Sequence, residues 1–134
     1  MTQRKLPLLT PENRAFWRGG AQGELLIHRC RACSRWFHPP APVCPRCNAI
    51  DVGPEPVSGR GAVVSFSINH QAWTRDLSEP YAIAIVELDE QPGLRFLTNI
   101  VGSPVEEIAI GMRVSVTFLE CEDVWLPQFE KEAA

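Results

Sequence analysis

Four of the five cysteines are spaced as two pairs that can bind one metal ion. Cys30 and Cys33 form the first Cys-x-x-Cys pair, and Cys44 and Cys47 form the second after ten intervening residues. In each pair a tight turn directs both thiolates to one point, and two such turns complete a tetrahedron around Zn²⁺ with Zn–S distances near ~2.3 Å. Four thiolates leave no open position for water or substrate, so the spacing predicts a structural zinc ion.

Two other chemistries fit the same cysteines. Two disulfide bonds would require an oxidising compartment, and the N-terminus has prolines at positions 7 and 11 with no apolar stretch before them, unlike a secretory signal. Four tetrahedral sulfurs also suit iron, as in a rubredoxin-like electron carrier. We favour zinc and expect a cytoplasmic protein. The longest apolar run has six residues, whereas a membrane-spanning helix needs about 20, so no membrane partner is expected.

The charges divide the chain into a basic first part and an acidic remainder. Residues 1–50 contain eight Lys/Arg and two acidic residues, whereas residues 51–134 contain five Lys/Arg and fourteen acidic residues, for a net charge of −3. A basic region suggests an anionic partner such as phosphate, nucleic acid or an acidic protein surface. A solvated surface explains the same pattern, as do arginines that balance the negative charge of a four-thiolate zinc site.

The second half of the chain predicts a small β-barrel. Ser103 and Glu106 have the spacing of a helix capping box, and Gly111 is a stop signal, so a short helix is expected between the third and fourth of five strands. Three strands, a helix and two strands is the order of an OB-fold, with an SH3-like barrel as the alternative. The predicted strands are 61–70, 81–88, 94–101, 112–118 and 124–129.

Two of these strands carry more specific expectations. Val64, Phe66 and Ile68 alternate in the first strand and should share one face. The second strand is continuously apolar from 81 to 86 and is expected to be buried on both faces.

A short helix is also predicted before the ribbon. Thr10 is placed to cap it, Pro11 suits its first turn, and Gly19-Gly20 should end it. The aromatic pair Phe16-Trp17 is expected to pack against the rest of the protein. The chain thus divides into an N-terminal helical segment (1–27), a zinc ribbon (28–50) and an OB-fold (51–134).

A series of motifs covers the chain from about Asn13 to Phe129. They are Phe16-Trp17, Cys30-x-x-Cys33 with Phe37-x-Pro39, Cys44-Pro45-x-Cys47, Gly61-x-Val63-x-Ser65-Phe66, Tyr81-x-Ile83-Ala84-x-Val86-Glu87-Leu88, Leu97-Thr98-Asn99-Ile100-Val101-Gly102, Ile110-Gly111-Met112-x-Val114 and Leu126-Pro127-x-Phe129. In this order they resemble a family of mainly β proteins with a short N-terminal helix, a rubredoxin-like zinc ribbon and a C-terminal five-stranded OB-fold barrel. That family was formerly of unknown function and is associated with acyl-CoA metabolism.

The resemblance implies a non-catalytic companion of a thiolase-fold enzyme, such as a thiolase, an HMG-CoA synthase or a sterol-type thiolase or aldolase. In such complexes the small protein holds or channels an acyl-CoA between active sites. Arginine suits the phosphates of CoA, and aromatic faces suit its adenine ring. The candidate ligand residues, each of which has a purely surface or packing role as its alternative, are Arg29, Arg31, Arg60, His70, Trp73 and Tyr81.

Two further function classes compete with this interpretation. OB-folds bind single-stranded nucleic acid through stacked aromatic residues and a positive groove, but an acidic barrel repels phosphate. A stand-alone enzyme is disfavoured because His28, His38 and His70 make no interpretable nucleophile–base pair with Cys121. Cys121 precedes two acidic residues, which disfavour a thiolate, so a packing or surface role is expected for it. Any catalysis is therefore expected in a partner subunit.

Overall fold

The computed structural model describes residues 5–71 and 79–133 and contains a short helix, a small sheet and a closed barrel. Helix α1 (Arg14–Arg18) continues into a 3₁₀ turn, Gly19–Gln22. The sheet has the order β2-β1-β3, with β1 (Leu25–Cys30), β2 (Trp36–Phe37) and β3 (Val52–Val57). No helix in the described ranges is long and apolar enough to cross a membrane.

The barrel confirms the predicted OB-fold. It closes in the order β4-β5-β6-β8-β7, and only β6 and β8 pair in parallel. Each predicted strand is present, and no end differs from its prediction by more than three residues. The five strands are β4 (Arg60–Asn69), β5 (Tyr81–Leu88), β6 (Arg95–Val101), β7 (Arg113–Cys121) and β8 (Val124–Lys131).

The connection between β6 and β7 differs from its prediction. It contains a single 3₁₀ turn, Val105–Glu107, in place of a capped helix. No side chain caps the N-terminus of this turn, so the predicted Ser103–Glu106 capping box is wrong. Three residues are too few for the reciprocal hydrogen bonds that a capping box makes with the first turn of an α-helix.

The buried faces of β4 and β5 also differ from their predictions. A β-bulge lies between Val63 and Ser65, so Val63, and not Val64, shares the inner face with Phe66. A bulge inserts one extra residue, which moves the following side chains to the other face. Strand β5 is buried on one face only, because its even-numbered residues fill the barrel while Ile85 is 37% exposed on the other face.

The N-terminal helix is shorter than predicted, because α1 begins after Asn13. Thr10 and Pro11 lie in a turn before the helix and do not occupy its cap and first position. The Asn13 backbone N–H donates to Thr10 Oγ1 (3.2 Å) and the Thr10 N–H donates to Asn13 Oδ1 (2.7 Å). The α-helix ends at Arg18 with Gly19 as its C-cap, as predicted, and the chain continues in the 3₁₀ turn, which ends at Gly23 with a φ of 74°. Gly20 lies directly on the side chains of Trp125 and Phe118, where a Cβ atom would collide.

The long loop between β2 and β3 (residues 38–51) is called the ribbon loop, and the β2-β1-β3 sheet is the ribbon sheet. The segment that follows the ribbon loop joins this sheet. Strand β3 pairs with β1 from Leu25↔Val57 to Cys30↔Val52, although the sequence division placed residues 52–57 with the OB-fold. Pro54 and Pro56 lie at alternate positions of this edge strand. Because alternate residues of an edge strand form no backbone hydrogen bond to their neighbour, both prolines fit there without an N–H group.

One hydrophobic core joins the sheet to the barrel. Leu25, Ile27 and Trp36 of the sheet belong to the same buried cluster as residues from every barrel strand, and Phe16 of α1 is part of it. The Trp36 N–H donates to Gln91 Oε1, and Gln91 Nε2 donates to the Trp36 carbonyl, both at 2.9 Å. The helix and the sheet are therefore fixed to the barrel by apolar packing and by hydrogen bonds.

Candidate metal centre and the cavity beside it

The four predicted metal ligands meet at one point at the end of the ribbon. The sulfur atoms of Cys30, Cys33, Cys44 and Cys47 all lie within 4.8 Å of one another. The Cys30–Cys47 and Cys33–Cys44 Sγ distances are 3.6 and 3.7 Å, and all four cysteines are free thiols in this structure. A tetrahedron with bonds of ~2.3 Å has edges of about 3.8 Å. The residues therefore fit a closed four-thiolate zinc site.

The two Cys-x-x-Cys turns have matching local geometry. The N–H of Cys33 donates to Cys30 Sγ (3.4 Å), and the N–H of Cys47 donates to Cys44 Sγ (3.5 Å). The residue after each turn, Ser34 or Asn48, has a positive φ of 65° or 64°. The donation from Cys47 lowers the pKa of the Cys44 thiol to about 6, which favours the thiolate that a metal ion requires.

Arg29 and Arg31 lie beside the metal centre, and each has an acidic partner. Both approach the Glu55 carboxylate of β3, at 3.6 and 3.9 Å, and Arg31 is 3.2 Å from Asp51. The Arg29 guanidinium also lies over the Trp36 ring, 4.7 Å from its centroid. Part of the basic charge predicted for this region is therefore neutralised by acidic residues of the adjoining strand.

The remaining candidate ligand residues are spread over the barrel. Arg60, at the start of β4, donates to the Glu132 carboxylate and thereby lowers the pKa of Glu132. His70 follows the far end of β4, next to Tyr81 at the start of β5. Trp73 lies outside the described residues. The structure thus brings Arg29 and Arg31 together and His70 near Tyr81, but it separates both pairs from Arg60.

A cavity of about 830 Å³ lies where α1, the proline-rich ribbon loop and the barrel meet. Its walls come from residues 5–7, α1, the loop at 38–40, β6 from 95 to 99, and β8 from 126 to 128. The wall is mostly apolar and aromatic. Its charged members among the described residues are Lys5 and Arg95, with no acidic residue. None of the five candidate ligand residues that the structure describes lines it.

His38 forms part of the cavity wall, and its imidazole is buried in the neutral form. Its ring lies between Phe16 and Phe96, with centroid distances of 4.8 and 5.5 Å. Its Nδ1 atom is enclosed and has no hydrogen-bond partner among the described residues. Burial, with a smaller effect of His28, lowers the pKa of His38 to about 4, so the imidazole is neutral near pH 7.

The cavity is the feature that reasoning from sequence missed. It is built from five segments of the chain, and it depends on how far β6 and β8 separate. The available signals were the Phe16-Trp17 pair, which does pack inward as predicted, and the His38-Pro39-Pro40 run that faces it. Cys121 is buried at the end of β7, consistent with its predicted packing role.

Comparison with protein families matches almost three quarters of the chain. Residues 17–49 match the ChsH2 rubredoxin-like zinc ribbon domain, and residues 54–119 match the ChsH2 C-terminal OB-fold domain. Both matches agree with the ribbon sheet and the barrel described above.

Three similar proteins are informative. A probable enoyl-CoA hydratase alpha subunit of Thermomonospora curvata is 36% identical over 94% of this chain and 39% of its own length. A DUF35 domain-containing scaffold protein of Methanocaldococcus jannaschii is 37% identical over 67% of this chain and 64% of its own length. The solved Ltp2-ChsH2(DUF35) aldolase contains a chain of TM-score 0.82 and 38% identity, covering 94% of this chain and 98% of that one. The chain spans about two fifths of the hydratase subunit.

Proposed function

Because the chain belongs to the DUF35 family of zinc-ribbon and OB-fold proteins, we propose that it is a non-catalytic accessory subunit of an enzyme that acts on acyl-CoA. The observation that carries this proposal is the match, over nearly the full length of both chains, to the DUF35 chain solved with an aldolase. The accessory subunit holds its partner enzyme in the active assembly, and the reaction takes place in the partner.

The described residues support a non-catalytic role. None of the three histidines makes a side-chain hydrogen bond within residues 5–71 and 79–133, so none is paired with a nucleophile there. The metal centre, with four cysteine ligands, offers no open position to a substrate. When bound, zinc would hold the two Cys-x-x-Cys turns together and thereby fix the ribbon loop against the barrel.

We propose a thiolase-fold enzyme as the partner and an acyl-CoA as the ligand of the assembly. The motif order described above supports the partner class, and the hydratase and aldolase names of the relatives support acyl-CoA chemistry. Arg29, Arg31 and Arg60 stay candidates for the CoA phosphates. Each of these arginines is already paired with a carboxylate, so a phosphate would have to displace an acidic side chain. We propose that docking of the partner enzyme moves the acidic side chain away and lets the phosphate take its place.

We place the partner on the outer face of β5 and β6. Ile85 and Leu97 are directly opposite each other there, and Leu97 is 68% exposed. Tyr81 lies at the same edge, at the start of β5. Neighbouring exposed apolar side chains are a common feature of protein interfaces.

The same face argues against the nucleic-acid alternative. Ser65 and Ser67 of β4 pair with Ile85 and Ile83 of β5, so in the described part of the chain this face presents aliphatic and hydroxyl groups. Single-stranded nucleic acid is held by several stacked aromatic rings and by free cationic groups. Among the described residues of this face, Tyr81 is the one aromatic ring, and Arg95 is paired with Glu87.

Affinity purification from the native host tests the proposal. We expect the tagged chain to retain a thiolase-fold enzyme, identified by mass spectrometry, and to lose it on Ile85→Asp substitution. Ile110→Asp is the matched control, because Ile110 is 71% exposed but lies outside β5 and β6. Recovery of nucleic acid that moderate salt releases would contradict the proposal, as would equal retention of the enzyme by both variants.

A further inference from the structure

The cavity occupies a gap between two strands of the barrel. Strands β6 and β8 pair only through Ile100↔Phe129 and Val101↔Glu130. Before these positions the strands separate, and the Thr98 hydroxyl spans the opening with a 3.0 Å hydrogen bond to the Pro127 carbonyl. Helix α1 and the ribbon loop cover the opening without filling it, which leaves the 830 Å³ space. Cavities of roughly 300–1,000 Å³ are typical of sites for organic ligands.

Gln128 is, like His38, a polar side chain in this space that lacks a partner among the described residues. Gln128 is only 8% exposed, lines the cavity and makes no side-chain hydrogen bond to any described residue. Its amide atoms are not fully enclosed, unlike His38 Nδ1, so they reach space that a small molecule can enter. A buried amide without a partner is unfavourable, and a ligand oxygen that accepts its N–H would remove that cost.

The surrounding wall defines the rest of the ligand. Phe16, Trp17 and Phe96 supply aromatic faces for an apolar body. Lys5 supplies positive charge, whereas the Arg95 guanidinium is already paired with the Glu87 carboxylate at 2.9 Å. The described lining contains no acidic residue, although the whole chain has a net charge of −3. Lys5 has no ion pair among the described residues, so its charge is available to an anion.

We propose that this cavity binds an amphipathic carboxylate, with its apolar body against the aromatic wall and its carboxylate accepting a hydrogen bond from Gln128. The site belongs to this chain alone and requires no partner enzyme. It therefore goes beyond the accessory role, and either proposal can fail without the other.

Binding of decanoate to the zinc-loaded full-length protein tests the site. The titration is followed by two-dimensional NMR at decanoate concentrations below those at which micelles form. We expect saturable shifts of the Gln128 side-chain amide and of the Phe16 and Thr98 backbone amides. Decanol should bind more weakly, because it has no charge, and decyltrimethylammonium should not bind at the cavity.

Two variants make the test specific. Gln128→Glu places a carboxylate in the cavity and should weaken decanoate at least about tenfold, while decanol binding changes little. Gln22→Glu is the control, since Gln22 is exposed in the 3₁₀ turn and lies outside the cavity. The proposal is overturned if decanoate gives no saturable shift at these amides, if the ammonium compound binds equally well, or if both variants behave alike.

Discussion

The metal-binding end of the ribbon and the barrel bury very different amounts of apolar side chain. In the ribbon end the buried cluster contains only Cys30, Phe37 and Cys44, and two of these are metal ligands. The barrel cluster contains residues from every strand and also takes in Phe16 and the near half of the ribbon sheet. A cluster of three side chains cannot offset the entropy of ordering a twenty-residue loop, so the ribbon end depends on metal, whereas the barrel depends on hydrophobic burial.

Removing a metal ligand should produce the largest effect. Cys44→Ser is expected to abolish stoichiometric zinc binding and to remove stabilisation on the order of 10 kcal/mol from the ribbon end. Metal analysis and hydrogen exchange check this: residues 30–50 should lose protection while β4 to β8 keep theirs. Cys121→Ala, in the barrel, is the control and should retain one zinc per chain. Stoichiometric iron in the wild-type protein, or a protected metal-free ribbon, would contradict this account.

A truncation in the barrel core should have the opposite effects: it should lower the free energy of unfolding and leave zinc binding intact. Phe129 is completely buried, so Phe129→Ala should lower the free energy of unfolding by about 3–5 kcal/mol. Zinc content at 25 °C should be unchanged, since the variant does not touch the cysteines. Leu119→Ala, at a partly exposed site on β7, should cost less than about 1 kcal/mol. Zinc loss in the Phe129 variant, measured beside its denaturation curve, would show that the two regions are not separable.

The junction between the two regions should respond to pH through His38. The folded-state pKa is about 4, below the ordinary value of 6.5, so the folded protein resists protonation more than the unfolded chain does. The stabilising contribution is complete above pH 6.5 and is lost as the pH falls toward 4, by about 3 kcal/mol in total.

His38→Phe isolates this effect, because a phenyl ring suits the aromatic surroundings and does not titrate. Unfolding curves between pH 4 and 6.5 should be steeper in pH for the wild type than for the variant. Acid release of zinc affects both proteins equally and cancels in the comparison. Identical pH dependences would mean that His38 is not buried in its neutral form.

The smallest effect is expected at the link between the two regions, which is the pair of hydrogen bonds between the Gln91 side chain and the Trp36 backbone. Gln91→Ala removes both hydrogen bonds to the Trp36 backbone and should cost about 1–3 kcal/mol. If the link couples the regions, the thermal unfolding of the variant should broaden or divide into two transitions. Gln22→Ala, on the surface, should leave a single transition, and an unchanged single transition in the Gln91 variant would assign the coupling to the shared apolar core.

The same contrast explains what could be predicted from the sequence. The cysteine spacing specified the metal centre, because four ligands in two Cys-x-x-Cys turns have few other arrangements. The strands of the barrel followed from their apolar patterns. Strand β3 was missed because its two prolines resemble a loop, and only its edge position makes them tolerable. The bulge after Val63 could not be predicted, because Val64, Phe66 and Ile68 alternate regularly and this pattern does not reveal the extra residue before Ser65.

The cavity could not be predicted for a different physical reason. Its existence depends on the short parallel contact between β6 and β8, and a strand pattern does not state how long two strands remain paired. Gln128 lies in an otherwise apolar strand end, where a polar residue usually faces solvent. Its burial under α1 is a property of the tertiary structure.

The most direct test of the accessory role measures which subunit performs catalysis. The chain, the enzyme recovered with it from its host, and the mixture of the two should each be assayed on acyl-CoA substrates. Our account predicts no turnover by the chain alone and the highest activity in the mixture, with that activity reduced by Ile85→Asp and unchanged by Ile110→Asp. Turnover of an acyl-CoA by the chain alone would contradict it.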